Sequence, residues 1–216
     1  MKKKNFLFLS ALFLSSCGSK FPKAKISDLV TNPSATFLTD ASNSYSVYGG
    51  YNCSCAHPGA HANFSVAGTY NVYAVTDGIV AQIEDCRTAG QNAKYNIVLA
   101  IAMSGSIPVL FEYSVEPFAG SSCSSGGVGF SEQILVKRGA EVKKGDLIAR
   151  MVAVGSGAHI HFNLKADGAT LCPEIFPTSV FAQTGALSSA TCGGDTILAN
   201  TFCHSVTSSE DPNRLK

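Results

Sequence analysis

The sequence predicts an all-β protein, an antiparallel curled sheet or small β-sandwich stapled by disulfides. Three observations support this prediction. From Tyr45 onward, short runs rich in Val, Ile, Tyr and Phe alternate with Gly, Ser, Asn and Asp, which is the pattern of strands joined by turns. The chain contains 20 glycines, 8 cysteines and no tryptophan. No segment of the body has the periodicity of an amphipathic helix.

The first half of the body contains two predicted hairpins. Residues 70–75 and 79–83 are β-rich and flank an Asp-Gly dipeptide, and an Asp-Gly step between two such runs favours a tight hairpin turn. Residues 95–102 and 107–114 are the next two β-rich runs, with Ser-Gly-Ser between them. We therefore expect each pair of runs to form adjacent antiparallel strands.

The second half continues this pattern as far as a pair of histidines. Residues 120–127 are Gly and Ser around one cysteine, a composition that predicts a surface loop. Residues 133–137 predict a further strand. Residues 142–146, Val-Lys-Lys-Gly-Asp, resemble the tight turn at which a compact β-barrel folds back on itself, and residues 147–154 predict the strand that follows. A Gly-Ser-Gly loop then leads to the histidines.

The N-terminus is typical of an exported bacterial lipoprotein. Three lysines follow Met1 and precede an apolar run that is too short to span a bilayer. The run ends in Leu-Ser-Ser-Cys, which resembles a lipobox. We therefore expect residues 1–16 to be a signal peptide and Cys17 to be the residue that is lipidated. An ordinary secretory signal with an incidental cysteine is the alternative. Gly18 follows where an acidic retention residue would stand, which favours anchoring to the outer membrane in a cell with two membranes.

Length and composition favour one domain with tails. Residues 17–35 predict a lipidated tether, and residues 36–185 predict a single β domain. Residues 186–216 form a cysteine-containing C-terminal extension to which we assign no function. The formal net charge is +1, with 14% charged residues, so there is no electrostatic basis for binding nucleic acid.

Seven cysteines follow Cys17, and in an exported protein the first interpretation is disulfide bonding with one thiol left over. Cys53 and Cys55 are separated by one residue, so a bond between them would be strained. These two could instead bind metal beside His57. The other five are Cys86, Cys123, Cys172, Cys192 and Cys203. Their connectivity does not follow from their spacing.

Four of the five histidines form two close pairs, His57-Pro-Gly-Ala-His61 and His159-Ile-His161. Histidine is the commonest side-chain metal ligand, and two separated pairs can bring several ligands together. In a strand, His159 and His161 would share one face, while Ile160 would point to the other. The apolar face would anchor the strand in the core and hold both imidazoles in a cleft. Two histidines that merely alternate are the simpler alternative.

The run from Val142 to Phe162 has a Val-Lys-Lys-Gly turn, a Gly/Ser loop and a His-Ile-His-Phe end. It resembles the lysostaphin/LytM-type peptidoglycan metallopeptidases, whose corresponding end is His-Leu-His-Phe. Residues 68–80 resemble that family's Gly-Thr-Pro-Val-Tyr-Ala…Asp-Gly-Val-Val segment, and residues 95–99 and 111–114 follow the family's order. The resemblance covers residues from about 45 to 180 and implies the LytM (duplicated hybrid motif-like) fold.

The resemblance implies one zinc ion, held by a His-x-x-x-Asp pair and by the second histidine of His-x-His. His161 matches that last ligand, and His159 matches the catalytic histidine that assists the attacking water. His57 and His61 have the spacing of the early pair, with histidine in place of aspartate. The zinc ligands expected from the resemblance are therefore His57, His61 and His161, an arrangement that leaves a fourth position for water.

The sequence departs from the family pattern at two places. Counting back from residues 73–74 instead aligns Asn63 with the family's aspartate and Gly59 with its first ligand, so no ungapped alignment satisfies both ends. The family's Tyr-x-His-Leu segment matches residues 113–116, where Val115 stands in place of an assisting histidine. Valine neither binds a metal nor transfers a proton, so the sequence leaves enzymatic activity open.

Two functions follow from the resemblance. The first is an envelope lipoprotein that acts as a zinc metallopeptidase on the cross-link peptides of peptidoglycan. The alternative is an inactive LytM-like protein that binds the cell wall or regulates other wall hydrolases. The turns at residues 77–80 and 142–146 also resemble a biotinyl/lipoyl-type hybrid barrel. The run Ala149-Arg-Met-Val lacks the lysine that would carry such a cofactor, which argues against that third interpretation.

Overall fold

The structure is a computed structural model that describes residues 23–40, 45–48, 60–87, 93–117, 129–171 and 173–183. Within these residues the chain forms two short helices and ten strands. The helices are α1 (Ile26–Thr31) and α2 (Thr178–Gln183). The strands are β1 (Tyr45–Tyr48), β2 (Ala60–Phe64), β3 (Gly68–Tyr73), β4 (Gly78–Glu84), β5 (Tyr95–Ser104), β6 (Ile107–Glu116), β7 (Glu141–Val142), β8 (Leu147–Ala153), β9 (Ala158–Ala166) and β10 (Ala169–Leu171).

The strands form one large and one small antiparallel sheet, which confirms the predicted all-β class. In the large sheet the strand order is β1-β2-β9-β6-β5-β4-β7, and β10 pairs with β9. The small sheet consists of β3 and β8. Strand β9 lies between β2 and β6, so it brings distant parts of the sequence side by side.

One of the two predicted hairpins is confirmed and the other is wrong. Strands β5 and β6 pair as expected around a turn in which Gly105 has a φ of 61°. Strands β3 and β4 do not pair, because β3 belongs to the small sheet and β4 to the large one. The Asp77 carboxylate accepts hydrogen bonds from the backbone N–H of Lys144 at 2.9 Å and from the Lys143 ammonium at 3.0 Å. The Asp-Gly step therefore leads from one sheet into the other.

The segment from residue 133 to residue 153 matches the predictions in part. The predicted strand at residues 133–137 is wrong, since only an isolated bridge joins Ile134 to Ala149. The turn at residues 142–146 is confirmed, with Gly145 at a φ of 86°, and β8 occupies the strand predicted after it. Helix α2 has six residues, which is too short for helical periodicity to stand out in the sequence.

A single hydrophobic core joins the inward faces of the two sheets. The rings of Phe64 on β2 and Tyr70 on β3 connect the sheets, with centroids 4.2 Å apart. The rings of Phe37 and Phe176 make T-shaped contacts with Phe162 on β9, with centroids 6.1 and 5.9 Å away. Along β2 and along β9, every second side chain is buried in this core. The intervening side chains of each strand therefore point to the opposite face of the large sheet.

Several predictions concern residues that the structure does not describe. The signal peptide at residues 1–16, lipidated Cys17, the loop at residues 120–127 and the C-terminal extension at residues 186–216 lie outside the described residues. So do all cysteines except Cys86, and the disulfide staple stays a prediction. The domain boundaries stay predictions as well. Among the described residues, none of the helices has the length and apolar character needed to cross a membrane.

Candidate metal centre

Three adjacent strands, β2, β9 and β6, place the candidate site on the face of the large sheet that points away from the core. The register sets His61 opposite His161, and His161 opposite Ser114. Two residues along β9, His159 stands opposite Glu116. Side chains directly opposite one another in paired strands share a face. The sheet therefore gathers three histidines and one carboxylate on one surface.

The side chains of His159, His161 and Glu116 converge. The Nε2 atoms of the two histidines lie 3.0 Å apart. Oε2 of Glu116 lies 3.4 Å from Nε2 of His159, and its Oε1 lies 3.5 Å from Nε2 of His161. Within the part of the chain that is described, these three residues form the group whose potential metal-ligating atoms all lie within 4.8 Å of one another.

A backbone carbonyl sets the tautomer of His159. Nδ1 of His159 lies 2.6 Å from the carbonyl oxygen of Gly157. Because a carbonyl only accepts hydrogen bonds, Nδ1 carries the proton, and in the neutral ring Nε2 presents its lone pair to the cluster. Metal-binding histidines are commonly oriented by such a second hydrogen bond. The Gly/Ser loop before β9 thus orients the His159 ring, so that its Nε2 atom faces the other potential ligands.

The donor set and its spacing fit zinc. A tetrahedral zinc ion with ligand bonds of about 2.0–2.2 Å separates its donor atoms by roughly 3.3–3.6 Å. The separations of 3.0, 3.4 and 3.5 Å in the cluster are close to this range. Two imidazoles and one carboxylate form the ligand set of several catalytic zinc sites. The same set also suits non-haem iron.

His61 lies beside this cluster. Its side chain is fully buried, and its ring centroid is 4.0 Å from that of His161 and 5.7 Å from that of His159. Of the four predicted site histidines, the structure thus brings His61, His159 and His161 together. His57 lies outside the described residues, so its expected role as a ligand stays a prediction.

Glu116 is the site residue that the sequence reasoning missed. The family comparison directed attention to Val115, but Val115 is fully buried in the core and stands opposite Tyr95 and Ile160. The next residue, Glu116, faces the histidines. The available signal was the alternation within β6, where Glu112, Ser114 and Glu116 interrupt an otherwise apolar run at every second position. Valine at residue 115 therefore removes no potential metal ligand from this cluster.

Lysine–glutamate pairs flank the histidines on the same face. The Lys94 ammonium donates a hydrogen bond to Oε1 of Glu116 at 2.9 Å, and the exposed fractions of the two side chains are 27% and 9%. Farther along the sheet, Lys165 forms an ion pair with Glu112. The Lys94–Glu116 pair reaches the histidine cluster directly, because Glu116 contacts both His159 and His161.

Comparison with known proteins gives similar solved structures without a family match. No family model matches the chain, and neither does any curated protein. The crystal structure of a zinc-containing peptidase from Vibrio cholerae aligns with a TM-score of 0.41 and 22% identity, over 64% of this chain and 39% of that one. A peptidase M23 structure from Pseudomonas aeruginosa aligns with a TM-score of 0.39 and 17% identity, over 69% and 57%. The chain thus spans less than two thirds of either structure.

Proposed function

We propose that this chain carries the zinc site of a LytM-type metallopeptidase and cleaves the cross-link peptides of peptidoglycan. The observation that carries the proposal is the convergence of His159, His161 and Glu116 at separations that fit zinc. The order of the motifs along the chain, which ends in His-Ile-His-Phe, supports the same family.

Each residue of the site has a task in such an enzyme. Zinc, when bound, supplies Lewis acidity toward a peptide carbonyl and toward the attacking water. His159, His161 and Glu116 would hold it through two nitrogens and one oxygen. The carbonyl of Gly157 keeps the His159 ring in its orientation. His61 packs its ring against that of His161 and so restricts its rotation.

The ligand set expected from the resemblance competes with the set that the geometry favours. In the former, His57, His61 and His161 bind zinc while His159 is the catalytic histidine that assists water. Both sets include His161. Metal content separates them, because His159→Ala removes a ligand in the geometric set but leaves zinc in place in the other. His61→Ala gives the reverse result.

We further propose that the protein is exported and attached to the membrane by lipid at Cys17, with its domain on the periplasmic side or facing the cell surface. The basic N-terminus, the short apolar run and the Leu-Ser-Ser-Cys sequence support this location. In a cell with two membranes, the outer membrane is the expected site of attachment. Labelling cells with a clickable fatty acid would test it, since Cys17→Ser should abolish incorporation into this protein.

The alternative function is a non-catalytic LytM-like protein that binds the wall or regulates other wall hydrolases. One observation favours it: the Lys94 ammonium already neutralises the Glu116 carboxylate at 2.9 Å. A site that is satisfied in this way can keep its shape without metal. Such a protein would bind sacculi or a wall hydrolase and release no fragments.

Digestion of purified sacculi separates these functions. The full chain, supplied with zinc, is incubated with sacculi, and the released muropeptides are separated by chromatography. The proposed enzyme releases cross-link fragments, and both His161→Ala and Glu116→Gln abolish the release. Asn163→Ala, on the same strand but outside the cluster, is the matched control and should retain activity. Bound zinc without released fragments would favour the regulator.

A further inference from the structure

Lys94 places its ammonium group at the edge of the proposed metal site. Its ammonium donates to Oε1 of Glu116 at 2.9 Å, and the same oxygen lies 3.5 Å from Nε2 of His161. Lys94 immediately precedes β5, whose first residue, Tyr95, stands opposite Val115 on β6. Lys94 and Glu116 therefore meet across two paired strands, so the contact is built into the register of the sheet.

The Glu116 carboxylate needs a nearby positive charge. Its side chain is 9% exposed, and a carboxylate so shielded from water is costly unless it is paired and hydrogen-bonded. In the absence of metal, Lys94 supplies that charge. A divalent cation bound at the cluster would share the carboxylate with Lys94, and two positive charges a few ångströms apart repel strongly where water is scarce.

We infer that Lys94 is an internal cation that stands in for the metal. With Lys94 in place, the domain folds without zinc and binds zinc more weakly than its donor set allows. Zinc occupancy then follows the zinc concentration outside the protein instead of being fixed at folding. The inference deepens the proposed function and rests on it, because it assumes that His159, His161 and Glu116 are the ligands.

The chain contains a matched control for this role. Lys165 on β9 pairs with Glu112 on β6, on the same face of the sheet as Lys94 and Glu116. Glu112 stands opposite Asn163, whereas Glu116 stands opposite His159. The facing residues Ser114 and His161 lie between these two positions on the same face of the sheet. Removing Lys165 removes an equivalent ion pair without changing the charge beside the cluster.

The test is the zinc affinity of the full chain, measured by isothermal titration calorimetry with zinc alone. Lys94→Met and Lys94→Gln should each bind zinc at least about tenfold more tightly than the wild type, because a unit charge close to the ion has been removed. Lys165→Met should stay within about twofold, since its charge is distant and screened. Zinc should also raise the melting temperature of Lys94→Met more than that of the wild type.

The outcomes separate this inference from the proposed function. Wild-type zinc binding that is unchanged or weakened in both Lys94 variants would overturn the inference and leave the zinc site standing. Binding by the Lys94 variants without binding by the wild type would support the inference and contradict a zinc enzyme. Lys94→Gln keeps a hydrogen-bond donor, which safeguards folding. If Lys94→Gln binds zinc with the affinity of the wild type while Lys94→Met binds it more tightly, charge is excluded as the cause and the inference is overturned. The inference is also overturned if none of the variants binds zinc.

Discussion

The two faces of β9 differ completely although they come from one run of nine residues. The inward face comprises Ala158, Ile160, Phe162 and Leu164, and the outward face comprises His159, His161, Asn163 and Lys165. The inward side chains are fully buried, whereas the outward ones are partly exposed. Because a slip of one residue would exchange the two faces, the buried face fixes the register that brings the histidines to Glu116. Core packing therefore positions the site.

Removing the largest side chain on the inward face of β9 should give the largest loss of stability. Phe162→Ala is expected to lower the free energy of unfolding by about 3–5 kcal/mol, because Phe162 packs against Phe37, Phe111 and Phe176. Urea denaturation measures the change. Its neighbour on the outward face provides the control, since Asn163→Ala should change stability by less than about 1 kcal/mol. Equal losses in the two variants would contradict the assignment of the faces.

The next test places a histidine at residue 115, where the sequence resemblance leads one to expect it, on the inward face. Val115→His should destabilise the protein by about 1–3 kcal/mol, because the buried imidazole loses its hydration, and it should leave zinc affinity unchanged. Ser114→His puts the same side chain opposite His161 and should alter zinc affinity. Urea denaturation and zinc titration follow the two effects. A gain in zinc affinity from Val115→His would show that residue 115 reaches the site after all.

The smallest effect on stability is expected from a change at Asp77, in the turn between the two sheets. The backbone N–H of Lys144, and then the ammonium of Lys143, hold the pKa of the Asp77 carboxyl below its ordinary value. A lowered pKa in the folded state stabilises the protein fully above the ordinary carboxyl pKa of about 3.9, and this stabilisation is lost as the pH falls through the folded-state value.

Both side chains in the Asp77–Lys143 ion pair are mostly exposed, so the effect on the free energy of unfolding should be the smallest of those predicted. Asp77→Asn should make the free energy of unfolding depend less on pH below about pH 4. Denaturation curves recorded between neutral pH and that acid range measure the change. An acid dependence identical to that of the wild type would show that the turn contributes nothing through this carboxylate.

Alternation of apolar residues was sufficient to predict the all-β class, the β5–β6 hairpin and the shared face of His159 and His161. It failed at residues 70–83 because a turn dipeptide reports local geometry, whereas the pairing of β3 with β8 is a long-range contact. Glu116 was missed for a related reason. Its contact with the histidines depends on the pairing of β6 with β9, which no local pattern specifies, and matching to a family motif pointed to Val115 instead.

We expect His159, His161 and Glu116 to form one metal site. Zinc content after equilibrium dialysis of the full chain, measured by inductively coupled plasma mass spectrometry, tests it most directly. We predict one zinc per wild-type chain and less than about a tenth of that in His161→Ala and Glu116→Gln at the same free zinc, since even residues that only support a ligand change affinity 10–100-fold. Full zinc content in Glu116→Gln would contradict the claim.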